Sequence, residues 1–284
     1  MKANLKYAEF YVTNHCNISC NNCNRFNNHK LTGSAKWDMY RNRYKEWSQI
    51  VDINRIALLG GEPLLHHQLD SMLNDVRLWW PNSKIEITTN GLLINKLKPS
   101  VIKSIIDNNI TVYVSIHNEN WHDKIKKSII DLLGQLTYVN GKRLHPKGGH
   151  DEYVAASGNR VILEYTYYFR SSALKQSNNK MLELHSSDPD KAHTVCDMKM
   201  SHHFWKGNLY KCGVMVALPY MLHQKSNMLN ISEDQKKLLK SYRPLMLSAA
   251  KNNPSLVGDL ANSIAQCTFC PESYNNTEQK IFND

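Results

Sequence analysis

The sequence predicts an α/β fold: β-strand and α-helix units that form a partial or open (β/α) barrel, with an open doubly wound sheet as the alternative, followed by a smaller module. Three observations predict it. Strand-like segments rich in β-branched and aromatic residues recur between residues 6 and 170. Helical apolar periodicity fills the gaps between them. From about His185 the composition changes, with four of the seven cysteines and a lysine-rich helical segment falling beyond that point.

The strand segments are KYAEFYVT, INRIALLG, KIEITTN, ITVYVSIH and NRVILEYTYYF. Between the second and third, Leu69, Met72, Leu73, Val76 and Trp80 recur at helical steps until Pro81 ends the run, with His66 and His67 read as the helix start. Val101, Ile102, Ile105 and Ile106 repeat the pattern, as do Ile125, Ile129, Ile130 and Leu133. Strands alternating with helices imply parallel pairing with crossover helices, an arrangement that gathers functional residues at the C-terminal strand ends. Residues 138–158 are polar and contain glycine, which predicts a loop or small hairpin over the barrel mouth. Residues 1–184 therefore read as the barrel and residues 185–284 as the second module.

A chain of 284 residues can bury a core without disulfides. Its net charge of +10 favours anionic partners, but the basic residues are dispersed and not interleaved with aromatics. That pattern predicts a solvated surface and no nucleic-acid partner. No apolar run is long enough to span a bilayer, and the N-terminus lacks the pattern of a secretory signal. The expectation is a cytoplasmic protein, with no membrane partner and with reduced cysteines.

The cysteines fall into a triplet, Cys16, Cys20 and Cys23, and a quartet, Cys196, Cys212, Cys267 and Cys270. Zinc in a structural site takes four ligands, so the quartet suits it, whereas the triplet would need a histidine such as His15 or His29. An iron–sulfur cubane held by three thiolates instead leaves one iron open to an outside ligand.

Cys16-x3-Cys20-x2-Cys23, set just after a first strand, resembles the signature of radical S-adenosylmethionine (SAM) enzymes. The second strand runs into Gly60, Gly61, Glu62 and Pro63, similar to that family's GGEP motif. The third ends in Thr88, Thr89, Asn90 and Gly91, and the fourth in Ser115, Ile116 and His117, which resemble its SAM-contacting strand ends. The resemblance implies a partial (β/α)6 barrel, with a [4Fe-4S] cluster on the triplet. It also implies SAM contacts from Gly60, Gly61, Glu62, Pro63, Asn90 and Ser115, with Arg170 offered for the SAM carboxylate. Asn22 stands where the family often has an aromatic near the adenine, and Phe26 or a backbone contact is the proposed substitute. In the C-terminal part, Cys196-x10-Gly207-x4-Cys212 resembles the opening of a SPASM or twitch module. Cys267-x2-Cys270 would complete one auxiliary [4Fe-4S] cluster, with zinc the alternative. His202 and His203, on the same predicted hairpin, read as packing or surface residues.

By that resemblance the cluster, reduced by a donor such as flavodoxin or ferredoxin, cleaves SAM to a 5′-deoxyadenosyl radical that takes hydrogen from substrate. A closed auxiliary cluster would accept the remaining electron, making the chain an oxidoreductase. Glu164 and Tyr168, alternating along the fifth strand segment, are candidate catalytic residues. Only about ten residues precede the strand leading into Cys16, with no leader-peptide domain before it. The expected substrate is therefore a small polar molecule, a carbohydrate or its phosphorylated or nucleotide form. Modification of a peptide or protein side chain is the alternative. A reading of another class is a non-catalytic metal-binding partner of RNA or protein.

Overall fold

Pairing of the strand segments builds one sheet in the computed structural model, which describes residues 2–282 apart from 146–147, 167, 171, 178–180, 274–275 and 279–280. Its strands are β1 (Ala8–Tyr11), β2 (Arg55–Leu59), β3 (Lys84–Thr89), β4 (Thr111–Ile116), β5 (Leu136–His145), β6 (Gly148–Ala155), β7 (Arg160–Thr166), β8 (His202–Trp205) and β9 (Asn208–Tyr210). They lie in the order β9-β8-β1-β2-β3-β4-β7-β6-β5. The central six, β8 to β7, are parallel. This is the parallel sheet of a partial, unclosed barrel. Its sixth parallel strand, β8, comes from the C-terminal segment and pairs with β1, His202 opposite Ala8 and Phe204 opposite Phe10.

Side chains on successive strand residues point to opposite faces. On one face Phe10, Ile56, Leu58, Ile87, Val112, Val114, Leu163 and Phe204 form the main core with apolar residues of the crossover helices. Those helices are α1 (Trp37–Ile50), α2 (Leu69–Trp79), α3 (Pro99–Asp107) and α4 (His122–Leu133). The alternate positions carry Glu9, Arg55, Glu86, Tyr113, Ser115 and Glu164, so the opposite face is polar.

Helix α1 turns Trp37, Tyr40, Tyr44 and Trp47, spaced at helical steps, onto the main core. What fixes α1 is distant. Trp47 Nε1 donates to Gly207 O at 3.0 Å, and Gly207 N–H donates to the Tyr44 hydroxyl at 3.1 Å. Gly207 belongs to the β8–β9 turn, where Lys206 and Gly207 both have positive φ, as a two-residue type I′ hairpin turn requires.

The described part of residues 138–158 forms the hairpin of β5 and β6, which extends the sheet with β6 antiparallel to β7; the turn at 146–147 lies outside the described residues. Two expectations need correction. His66 and His67 do not begin α2, since a 3₁₀ turn at Pro63–Leu65 precedes them and buried His66 contacts Ala35 O through Nε2 at 2.7 Å. The lysine-rich segment is broken near Pro244 into separate helices.

The remaining helices are α5 (Pro189–Val195), α6 (Gly213–Gln224), α7 (Glu233–Ser241), α8 (Leu247–Asn252) and α9 (Leu256–Asp259). A second core joins Phe26 and Leu31 of the cysteine loop to Met215, Leu218 and Met221 of α6 and to Phe269. Among the described residues no helix is long and apolar enough to cross a membrane.

Candidate active site

The chain leaving β1 runs beside the chain leaving β2. Gly61 N–H donates to Thr13 O and Glu62 N–H to His15 O, both at 2.7 Å. A Cβ on Gly60 would sit 2.3 Å from Thr13 O, and one on Gly61 would sit 2.1 Å from His15 O. The two glycines thus admit a close approach of backbone to backbone at the root of the cysteine loop. Beyond it, Asn22, Phe26 and Lys30 adopt left-handed backbone conformations as the loop turns back.

Cys16, Cys20 and Cys23 border a cavity of about 230 Å³ at the C-terminal strand ends. Gly60, Gly61 and Glu62 line it from β2, Thr88 to Asn90 from β3, Ser115 and His117 from β4, and Glu164 and Thr166 from β7. Glu62 is buried and organises this rim. It accepts from Thr89 Oγ1 at 2.7 Å, Asn90 N–H at 2.9 Å and Leu64 N–H at 3.0 Å. Burial nevertheless pushes its carboxyl up to about 7. Asn90 Nδ2 reaches Asn17 Oδ1 at 2.7 Å, tying the rim back to the cysteine loop. Pro63 opens the turn behind Glu62.

Two features sequence reasoning missed complete the site. Arg25, two residues past Cys23, lines the cavity and pairs with Glu9 on β1; the same Glu9 oxygen meets His203 of β8. Burial alone would raise the Glu9 carboxyl, but His203 and Arg25 hold it down at about 2. The signal was local: a glutamate at an interior position of an otherwise apolar strand, which burial makes costly unless it is paired. Within the cavity lining, Arg25 Nε and Thr166 Oγ1 are buried without a hydrogen-bond partner among the described residues.

The later cysteines also converge. Cys196 follows α5, Cys212 stands at the N-cap of α6, and Cys267 lies within a 3₁₀ turn (Ala265–Phe269) that Cys270 ends, Cys270 N–H donating to Cys267 O at 3.0 Å. Thr268 pins that turn to Ser187, before α5, and Gln266 pins it to Leu238 of α7. All four thiols border one small cavity of about 30 Å³ together with Lys211 and His193. Burial raises the thiol of Cys212 to about 11 and that of Cys270 well above its ordinary value, so as free thiols they are neutral.

The triplet's cavity holds thiols, orphaned polar groups and a guanidinium, a donor set that fits a three-thiolate cluster with a polar ligand beside it. The quartet fits a closed four-thiolate centre. Among the described residues no three His, Cys, Asp or Glu side chains stand close enough to grip a single metal ion.

Residues 10–134 match the Radical SAM superfamily. This stretch is a radical SAM domain. It takes in β1 to α4, and with them the cysteine triplet, the Gly60–Pro63 turn, Asn90 and Ser115, while Glu164 and the cysteine quartet fall outside it. Members of that superfamily work with a [4Fe-4S] cluster and SAM.

Among curated relatives, GTP 3′,8-cyclase of Nautilia profundicola is 32% identical over 116 residues, 36% of this chain and 34% of that protein. A probable GTP 3′,8-cyclase of Methanococcus aeolicus is 25% identical over 136 residues, 45% of this chain and 44% of that one. The chain thus spans less than half the length of these relatives. A solved structure of BtrN with AdoMet and 2-DOIA is 17% identical with a TM-score of 0.46, covering 97% of this chain and 100% of that one.

Other sequence-predicted residues part company. Phe26 does not face the cavity; it is 1% exposed within the second core, so it cannot stand in for an aromatic at Asn22. His202 and His203 are both fully buried in β8. The side chains of Tyr168 and Arg170 lie outside the described residues, although their backbone forms a short strand paired with Asn276–Glu278.

Proposed function

We propose that this chain is a radical SAM oxidoreductase that takes hydrogen from a small polar substrate, a carbohydrate or its phosphorylated or nucleotide form. One observation carries the reading: the cysteine triplet, the glycine turn of β2 and the polar ends of β3, β4 and β7 border a single cavity. In this reading Cys16, Cys20 and Cys23 hold a [4Fe-4S] cluster. The chemistry supplied there is reductive cleavage of SAM to a 5′-deoxyadenosyl radical, with an electron from a donor such as flavodoxin or ferredoxin.

The chain's own groups do the positioning. Gly60 and Gly61 bring the β2 end against the cysteine loop, and Glu62 fixes the Thr89–Asn90 rim. Asn90 and Ser115 offer polar contacts to SAM. Pro63 stiffens the turn, and Arg170 is assigned to the SAM carboxylate. Glu164, which lines the cavity together with Thr166, is assigned to orient a substrate hydroxyl. Tyr168 is retained as the second catalytic candidate on the same segment.

A polar wall favours a hydroxyl-rich substrate over an apolar side chain, and the GTP-cyclising relatives add weight to the nucleotide form. In this reading residues 185–284 are a twitch-like module. Its cysteine quartet holds an auxiliary [4Fe-4S] cluster without an open iron, suited to accept an electron and so to net oxidation. The protein would work in the cytoplasm.

Anaerobically reconstituted protein should release 5′-deoxyadenosine when reduced with SAM, faster with its substrate among sugar phosphates and nucleotides than without. Replacing Cys16, Cys20 and Cys23 by Ala should abolish that release. Stoichiometric zinc with no SAM cleavage would overturn the reading in favour of a metal-binding partner protein.

A further inference from the structure

Lys211, immediately before Cys212, is a cation buried without an acid. The residue is 3% exposed, and among the described residues no carboxylate pairs with it. Its Nζ donates to Leu260 O at 2.8 Å and to Asn262 O, and lies 3.4 Å from His193 Nε2. Two backbone carbonyls thus take two of its N–H groups, and its third polar neighbour is the His193 ring. Enclosing a charge with carbonyls but no counter-ion is costly. The same small cavity is bordered by Cys196, Cys212, Cys267 and Cys270, whose sulfurs are anionic when they ligate a metal.

We propose that Lys211 is a built-in counter-charge for an anionic four-thiolate centre held by Cys196, Cys212, Cys267 and Cys270. The proposal rests on reading those cysteines as a closed metal site. Four thiolates outnumber the positive charges of either a zinc ion or an oxidised cubane, so the centre is negative with either. Reduction of a cubane adds one more negative charge, which a neighbouring ammonium stabilises; Lys211 thus raises the centre's reduction potential. Its bonds to Leu260 and Asn262 also hold the segment leading to Cys267, so a purely structural tie is the reading to be separated from it.

The test uses the full chain with Cys16, Cys20 and Cys23 replaced by Ala, so that only the quartet can be loaded. Lys211→Met and Lys211→Arg are compared with this parent, unloaded and after anaerobic reconstitution. Lys211→Met should leave the melting temperature of the unloaded protein unchanged or higher, because an uncompensated charge is gone. It should lower that of the loaded protein and move the midpoint in an EPR-monitored redox titration to more negative potential. Lys211→Arg should stay near the parent.

Equal destabilisation of both forms by Lys211→Met, or its failure to fold unloaded, identifies a structural tie and overturns the proposal. An unmoved midpoint at equal iron content overturns it too. If the parent takes zinc and no iron, the auxiliary-cluster reading fails but the counter-charge does not. Lys211→Met should then lose zinc to a chelator about tenfold faster, and equal retention overturns the proposal. If the quartet takes neither metal, both fall.

Discussion

Glu9 is 3% exposed, and one of its carboxylate oxygens is shared by Arg25 and His203. A carboxylate in that position contributes stability only while ionised. Its carboxyl is held at about 2 in the folded chain against an ordinary 4.5, a difference on the order of 3 kcal/mol. The contribution is complete above pH 4.5 and is lost as the pH falls from there towards 2. Denaturant unfolding of the wild type and of Glu9→Gln across that range checks it. The variant should be less stable by about that amount at pH 7, with the gap closing below pH 4.5. A gap independent of pH would mean that the substitution acts through packing. The lone glutamate in an apolar strand was legible, but its partners were not, because they sit in the cysteine loop and in β8, far apart in the chain.

At the scale of elements, the cysteine loop is anchored at both ends, by the β2 glycine turn at its root and by Phe26 in the second core at its return. Phe26→Ala should cost about 3–5 kcal/mol, as removal of a buried phenyl ring does, while folded protein keeps wild-type SAM affinity. Denaturation midpoints and SAM titration of the reconstituted variant measure the two. Weaker SAM binding at unchanged stability would return Phe26 to the adenine.

The strands and their glycine-bearing ends were readable in the sequence because period-two alternation and turn residues are local properties. Helix α1 carries a local signal too, Trp37, Tyr40, Tyr44 and Trp47 at helical steps, but its tie to Gly207 beside β8 was not readable. The hairpin of β5 and β6 was legible as a hairpin, but its edge position depends on the register of β7, which composition does not carry. The quartet's spacing was readable, whereas Lys211 at its centre looks in the sequence like any other surface lysine.

Over the whole molecule, two cysteine sites share one scaffold and are bound to each other through it. His203, which meets Glu9 beneath the first site, leaves no room for a side chain on Gly213, next to Cys212 of the second; a Cβ there would lie 2.8 Å from His203 Nε2. If the second site serves only the substrate half-reaction, Cys267→Ser with Cys270→Ser should keep SAM cleavage while product formation falls to background. Comparing 5′-deoxyadenosine with substrate turnover would show it, and loss of both together would mean that the quartet supports the first site structurally.

The pairing of β8 with β1 also has a consequence for how the chain is made. Within this sheet β1 precedes the other strands in the chain and lies inside it, yet its neighbour β8 is synthesised only after the other five parallel strands. Until then β1 presents an open edge and Glu9 lacks His203. Contacts so distant in sequence slow folding, and open strand edges invite association. The nascent chain therefore carries that open edge until late in synthesis, and Glu9 gains its His203 partner only when the last parallel strand docks.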